Sequence, residues 1–150
     1  MSLAIATITD SITGLSVTGL TIKDIDEIPQ GIINRDCPLL VPDPANFVTG
    51  FEVVRDSFGA GSDCKYTAEY MLNYILLYAV VGAGRTTVLE KYSGMVSMAF
   101  AFYDAVLSSS SITGAVDFEP GAVNRFDIIT WGGTDFHTCS VGLNVKEFVN

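Results

Sequence analysis

A tyrosine stands at every fourth position of one apolar segment, and this spacing constrains the fold more than any other feature. The four residues are Tyr66, Tyr70, Tyr74 and Tyr78. On a helix they would form a drifting stripe, whereas on a strand every even position shares one face. Tyrosine, threonine and isoleucine favour strands, and a glycine-rich turn at 59–63 precedes the segment. The pattern predicts a long strand over 65–79, paired in a hairpin with 51–58.

The two faces of this predicted strand differ. The even face carries the tyrosines with Ala68, Leu72 and Leu76, while the odd face is polar at its start and apolar at its end. A strand with an apolar second face needs covering on both sides. We therefore expect a protein that packs against copies of itself.

The composition supports association. Hydrophobic residues make up 49% of the 150 residues and charged residues only 17%, where about 25% is usual. The mean hydropathy is +0.39. A membrane-spanning helix needs about 18 consecutive apolar residues, whereas the richest stretch, 70–81, is shorter and contains Asn73. We therefore predict contact between subunits and no membrane partner.

The net charge of −9 argues against ordinary nucleic-acid binding, which needs lysine and arginine to neutralise phosphates. Such a charge suits a surface that DNA passes without sticking, although simple solubility is the more direct explanation of the charge. Cys37, Cys64 and Cys139 have no spacing typical of a disulfide framework or zinc site. Residues 1–5 lack the basic start of a secretory signal, which predicts production in a reducing cytoplasm.

The remaining patterns predict helices and strands around the hairpin. An amphipathic helix is expected over 3–13, and a longer one over about 88–107 with Thr87 as its N-cap. Short strands are expected at 20–22, at a sheet edge over 39–41, at 115–118 up to Pro120, at 123–131 and at 137–146. The helix at 88–107 is expected to bury Val88, Tyr92, Met95, Ala99, Phe102, Tyr103 and Val106. We therefore predict a single α+β domain, 1–150. Its antiparallel or mixed sheet has a long central hairpin, with both helices packed on it.

Catalytic patterns are weak in this sequence. The turn 82–87 lacks the residues of a phosphate-binding loop. His137 is the only histidine, and although Cys139 shares its strand face, that face is apolar. The carboxylates of Asp117, Glu119, Asp127 and Asp135 flank turns and strand ends. No enzymatic activity, cofactor or metal is predicted.

Four segments, 35–44, 50–59, 66–74 and 145–150, carry a resemblance to a known family. In their order and composition they resemble the tail terminator (tail-completion) proteins of long-tailed bacteriophages. This resemblance implies a compact subunit that forms a homo-oligomeric ring, expected to be a hexamer. It also implies that the ring caps the tail tube protein, stops its polymerisation and joins the tube to the head-tail connector or neck protein. The expected location is the tail or neck of the virion, after assembly in the host cytoplasm.

Candidate sites follow from this interpretation. The predicted subunit interface consists of Phe51, Phe58, Tyr66, Tyr70 and Tyr74. Trp131 and Phe136, beside the glycine turn 132–133, are expected to contact the tube or the connector, although for Trp131 a position capping the core fits the sequence equally well. Asp24, Asp26 and Glu27 are expected to face the channel, where genomic DNA would pass without specific binding.

Other functions fit the same residues. A neck or head-completion ring protein and a tail tube subunit share the size and charge of a terminator. A monomeric ligand-binding or hydrolytic domain, using the face of 66–78 and His137, belongs to a different class. Position in the virion would separate a neck protein from a terminator, and polymerisation without limit would indicate a tube subunit. A monomeric state with small-molecule binding would favour the last.

Overall fold

The computed structural model describes residues 4–32, 34–55, 66–82, 88–108 and 116–149. Within these ranges the protein is α+β, with two α-helices and six strands. Two short 3-10 helices, Ile25–Glu27 and Asn34–Asp36, precede the second strand. In chain order the main elements are α1 (Ile5–Thr13), β1 (Thr21–Ile22), β2 (Leu39–Pro42), β3 (Val48–Arg55), β4 (Tyr66–Val80), α2 (Val88–Ser108), β5 (Val116–Trp131) and β6 (Thr134–Val149).

All six strands belong to one mixed sheet with β4 at its centre. On one side β4 pairs antiparallel with β6, and β5 pairs antiparallel with β6 beyond it. On its other side β4 pairs with β3 along its first part and with β2 along its second part. The two-residue β1 lies parallel to β2. Among the described strands, β1, β3 and β5 therefore have no neighbour on their outer edges.

The tyrosine run forms a strand, as its alternation predicts. The main core lies on the even face of β4, where Tyr70, Leu72 and Tyr74 are buried. Both helices cover this face, because each places one apolar stripe on the sheet. The helical side chains buried there include Ile8 and Ile12 of α1 and Met95, Ala99, Phe102, Tyr103 and Val106 of α2.

A second, smaller core covers the apolar end of the odd face. Ile75 and Leu77 of β4 pack there with Phe136 of β6, and Ile32 packs into the same cluster. The Trp131 indole N–H donates a hydrogen bond of 2.8 Å to the Pro29 carbonyl oxygen, which fixes the 29–32 segment beside the sheet. The sequence suggested that a copy of the chain covers this end of β4, and that interpretation is wrong because the chain covers it itself.

Strand β2 lies inside the sheet, which corrects the prediction of an edge strand at 39–41. All four of its residues are buried, between β1 and β4. The flanking prolines suggested an edge because proline cannot donate to a ladder. Pro38 precedes the strand and Pro42 ends it, so the ladder between them keeps its N–H donors.

Strand β5 is continuous across Pro120, where the sequence predicted a break. Proline is tolerated here because β5 is an edge strand, and two register shifts absorb the irregularity. Gly121 lies in the first shift, and a Cβ there would come within 2.7 Å of the Gly142 backbone. The chain therefore approaches its neighbour closely at this bulge.

Helix α2 agrees with the predicted range, but its buried stripe is narrower. Tyr92, expected in the core, is 41% exposed. The side chain of Val88 and the predicted N-cap Thr87 lie outside the part of the chain that the structure describes.

Candidate functional site

The outer strand β3 exposes apolar side chains along its free edge. Phe51 is 48% exposed and stacks on Tyr70, with 5.8 Å between the ring centroids. Val48, Val53 and Val54 are each at least 38% exposed. Native proteins usually protect edge strands, because unpaired backbone groups beside apolar side chains promote association. This edge is a candidate contact surface.

A groove on the outer side of α2 is also apolar. Tyr92, Val96 and Phe100 follow at intervals of four along the helix, with Ser93 and Ser97 between them. Phe126 of β5 packs edge-on against Tyr92, with 5.4 Å between the ring centroids. The groove has a volume of about 570 Å³, and Phe100 is 58% exposed beside it. We call these aromatic and apolar residues with the two serines the α2 groove.

A bulge in β5 positions Phe126. The register shifts between Asn124 and Asp127, and Arg125 adopts a φ of 53°, which is uncommon for a residue other than glycine. Phe126 points toward α2, whereas Arg125 lines a cavity on the opposite face of the sheet. The bulge therefore places an aromatic ring and a cation on opposite faces of one edge.

The odd face of the sheet is open beyond the second core, and its far end is acidic. Cross-strand partners there form one row of Glu52, Glu69, Lys146 and Asp117. The Lys146 amine lies 3.5 Å from the Glu69 carboxylate. The row thus holds three carboxylates and one amine beside a cavity of about 480 Å³, which Glu119 also lines. This surface presents net negative charge.

The predicted interface residues separate into three groups. Phe51 is exposed and Tyr66 is half-buried at the start of β4, so both reach the surface. Phe58 lies outside the described residues. Tyr70 and Tyr74 are 3% and 1% exposed, which corrects their assignment to the interface. Their rings face the main core because even positions of β4 lie under the helices.

The predicted partner-contact residues lie in the second core. Phe136 is fully buried there, and this corrects its assignment as a contact residue. Trp131 is half-buried, with its indole bound to Pro29. Both residues stabilise the packing of 29–32 in this structure.

The predicted channel residues lie on the segment that follows β1. Asp24 caps the 3-10 helix by accepting a 2.7 Å hydrogen bond from the Ile25 amide, and Asp26 and Glu27 are exposed. A hydrogen bond with Asp24 raises the pKa of Asp10 on α1, and burial and the charges of Asp24 and Asp26 raise it further. These carboxylates form a small acidic surface, and their place in a channel stays a prediction.

The described residues show little preparation for catalysis. Burial raises the pKa of the Cys139 thiol to about 12, so the thiol is protonated at neutral pH and is a poor nucleophile. His137 is half-buried on the same strand. In the described ranges no three His, Cys, Asp or Glu side chains are grouped so that they could bind a metal. Within those ranges, neither α-helix has the length and hydropathy to span a membrane.

The α2 groove and the bulge that completes it were not predicted from the sequence. The signal was present in Tyr92, Val96 and Phe100, which repeat every four residues beside the buried stripe of α2. That Phe126 meets Tyr92 depends on the fold, because the two residues belong to different elements.

Comparison with known proteins adds no family assignment. No protein-family model matches the sequence, and no curated protein has a significant match to it.

Proposed function

We propose that this chain is a structural protein of a bacteriophage tail that forms a homo-oligomeric ring. In this proposal the ring caps the tail tube, ends its polymerisation and joins it to the connector on the head side. The place in the tail is supported by the sequence resemblance of 35–44, 50–59, 66–74 and 145–150. The ring itself is supported by the surface of the subunit.

One observation carries the ring proposal: two unlike apolar surfaces lie at free edges on opposite sides of one sheet. The β3 edge presents Phe51 and Val53, while the β5 edge with α2 presents Phe100 and Phe126. Unlike surfaces on opposite sides favour head-to-tail contact, which produces a ring when the rotation between subunits closes. A symmetric dimer would instead use one surface twice.

We propose that the hairpin of β3 and β4, with both helices on one side, is the unit that repeats around the ring. Its open face carries Glu52, Glu69, Asp117 and Glu119. A ring with this face turned inward would repel the phosphates of passing DNA. These residues are the channel candidates in this orientation. Asp24 hydrogen-bonds with Asp10 of α1 on the helix side, so Asp24, Asp26 and Glu27 would line a channel only if the helix side faced inward.

The test is electron microscopy of the purified protein, alone and mixed with purified tail tubes. We expect closed rings of uniform diameter, and tubes that carry one additional ring at a single end. Sedimentation velocity gives the stoichiometry of the ring in solution. A monomer of 16.1 kDa at every concentration, with bare tube ends, would refute the proposal. Unlimited filaments would favour a tube subunit instead, because a terminator must stop at a closed ring.

A further inference from the structure

We infer that the α2 groove of one copy receives Phe51 from the β3 edge of a second copy, and that Glu52 then lies beside Arg125 of the groove-bearing copy. This inference rests on the proposed ring, and it names the two surfaces that meet. Its occupant is a second copy of this chain, because the β3 edge supplies an exposed aromatic ring, Phe51, for the apolar groove and an acid, Glu52, for Arg125 at its rim.

The side chains at the two edges lie on matching faces of the sheet. At the β3 edge, Phe51 lies on the helix side, stacked on Tyr70, and Glu52 pairs across the sheet with Glu69 on the open side. At the β5 edge, Phe126 lies on the helix side and Arg125 on the open side. When two sheets meet edge to edge with their helix sides aligned, Phe51 lies on the same side as Phe126. Glu52 then lies on the same side as Arg125.

The directions of β3 and β5 also favour this contact. Strands β3 and β6 both run antiparallel to β4, and β5 runs antiparallel to β6. Strand β3 is therefore antiparallel to β5 within one subunit. Copies related by rotation about an axis inclined to the strands keep that relation, so β3 of one copy meets β5 of the next in the antiparallel direction, shifted along it. Antiparallel is the more frequent arrangement of neighbouring strands.

The charged residues at the two edges select the register in which β3 of one copy meets β5 of the next. With the two edges level, the row Glu52, Glu69, Lys146 and Asp117 would place Glu52 of one copy beside Asp117 of the next. Like charges directly opposite each other are destabilising. Arg125 lies about six residues further along the sheet, about 20 Å at 3.3 Å per residue. A stagger of this size replaces the repulsive pair with an attractive one.

Both charged side chains, Glu52 and Arg125, are accessible to a second copy. Glu52 and Arg125 are exposed, and neither forms an ion pair with another residue in the described part of the chain. The walls of the α2 groove are uncharged, with two serines among apolar side chains. The groove is open to solvent, with a volume of about 570 Å³, so an aromatic side chain can lie across it. Burial of Phe51 there would supply the apolar contact, while the charge pair sets the register.

The test mixes two variants that are each damaged on one surface only. Phe51→Glu removes the inserting side chain and leaves the groove intact, whereas Phe100→Glu blocks the groove and leaves the β3 edge intact. We expect each variant alone to sediment as a monomer, with circular dichroism and melting temperature near those of the wild type. Mixed in equal amounts, they should form a 1:1 heterodimer of twice the 16.1 kDa subunit mass, because one intact edge meets one intact groove.

A charge exchange provides a second readout that leaves the apolar surfaces intact. Glu52→Arg and Arg125→Glu should each raise the concentration needed for ring assembly by about tenfold. The double variant should return it to within about threefold of the wild type. A matched control, Asp10→Arg, changes an exposed carboxylate on α1, outside both edges, and should leave the register and the assembly concentration unchanged.

These outcomes separate the inference from the proposed function. If the wild type forms rings and the Phe100→Glu variant forms them equally well, the groove is not the contact and the inference is overturned, while the ring stands. If the mixed variants stay monomeric, the contact is not head-to-tail between these surfaces. If the wild type itself never assembles, both the ring and this contact are refuted.

Discussion

The Tyr70 hydroxyl donates a hydrogen bond of 3.1 Å to the Glu147 carboxylate, which is only 4% exposed. The other carboxylate oxygen of Glu147 accepts a 2.7 Å hydrogen bond from the Ala4 backbone N–H at the start of α1. Ala4 itself provides no side-chain cap. The strand residue therefore caps the helix, and its negative charge is favourable near the helix N-terminus.

Loss of this carboxylate should destabilise the fold. We expect Glu147→Gln to lower the free energy of unfolding by about 1–3 kcal/mol, because a buried acceptor of two hydrogen bonds is changed. Urea denaturation measures the difference, with the exposed Glu119→Gln as the control. In a cycle with Tyr70→Phe, the double variant should lose less stability than the two single losses combined. Full additivity would show that the two side chains do not act together.

The Tyr103 hydroxyl joins α2 to the sheet at the β5 bulge. It donates a hydrogen bond of 2.6 Å to the Gly142 carbonyl oxygen, and the Gly121 carbonyl oxygen lies 3.3 Å away. Tyr103→Phe should cost about 1 kcal/mol of stability, the net contribution of one buried hydrogen bond. Tyr92→Phe is the matched control, since Tyr92 is 41% exposed on the same helix. Equal effects in the two variants would contradict the buried contact.

Gly94 provides space for Tyr78 where α2 crosses β4. A Cβ at Gly94 would lie 2.6 Å from Cζ of Tyr78, and closer still to its hydroxyl oxygen. Alanine normally favours a helix over glycine by about 1 kcal/mol. We expect Gly94→Ala nevertheless to reduce stability by about 1–3 kcal/mol, because the ring or the helix must shift. At Gly14 a Cβ would meet only ordinary contacts at 3.6 Å, so Gly14→Ala should be neutral or stabilising in the same thermal melts.

Asp10 should make a pH-dependent contribution to stability. A hydrogen bond with Asp24, burial, and the charges of Asp24 and Asp26 raise its pKa above the unfolded value of 3.8. The folded state therefore binds a proton on Asp10 at a higher pH than the unfolded state does. This contribution favours folding as the pH falls through the raised pKa, and it is absent at neutral pH, where the carboxylates repel each other.

The Asp10→Asn variant isolates this effect. At neutral pH it should be slightly more stable than the wild type, and that advantage should shrink as the pH falls toward 4. Paired urea titrations across this range measure the difference, with Asp104→Asn on the exposed side of α2 as the control. If the stability advantage of Asp10→Asn grew on acidification, the pKa of Asp10 would not be raised in the folded state.

Local patterns were sufficient to predict several elements. Residues 66–80 and 88–108 were identified nearly to their ends, because alternation and helical spacing are properties of neighbouring residues. The same local information was misleading at Pro120 and at 39–41. Whether a strand lies at an edge depends on which strands flank it, and proline placement alone does not report this.

The sequence by itself determined that β4 is a strand with two unlike faces and that the chain has more apolar residues than a typical soluble protein. Only the tertiary structure decided what covers those faces. Tyr70 and Tyr74 face the helices, while Phe136 and Trp131 meet the 29–32 segment about a hundred residues away in the chain. Contacts at such separations depend on strand order and register, which local periodicity does not encode. They leave Phe51, Phe100 and Phe126 among the apolar side chains exposed at the surface.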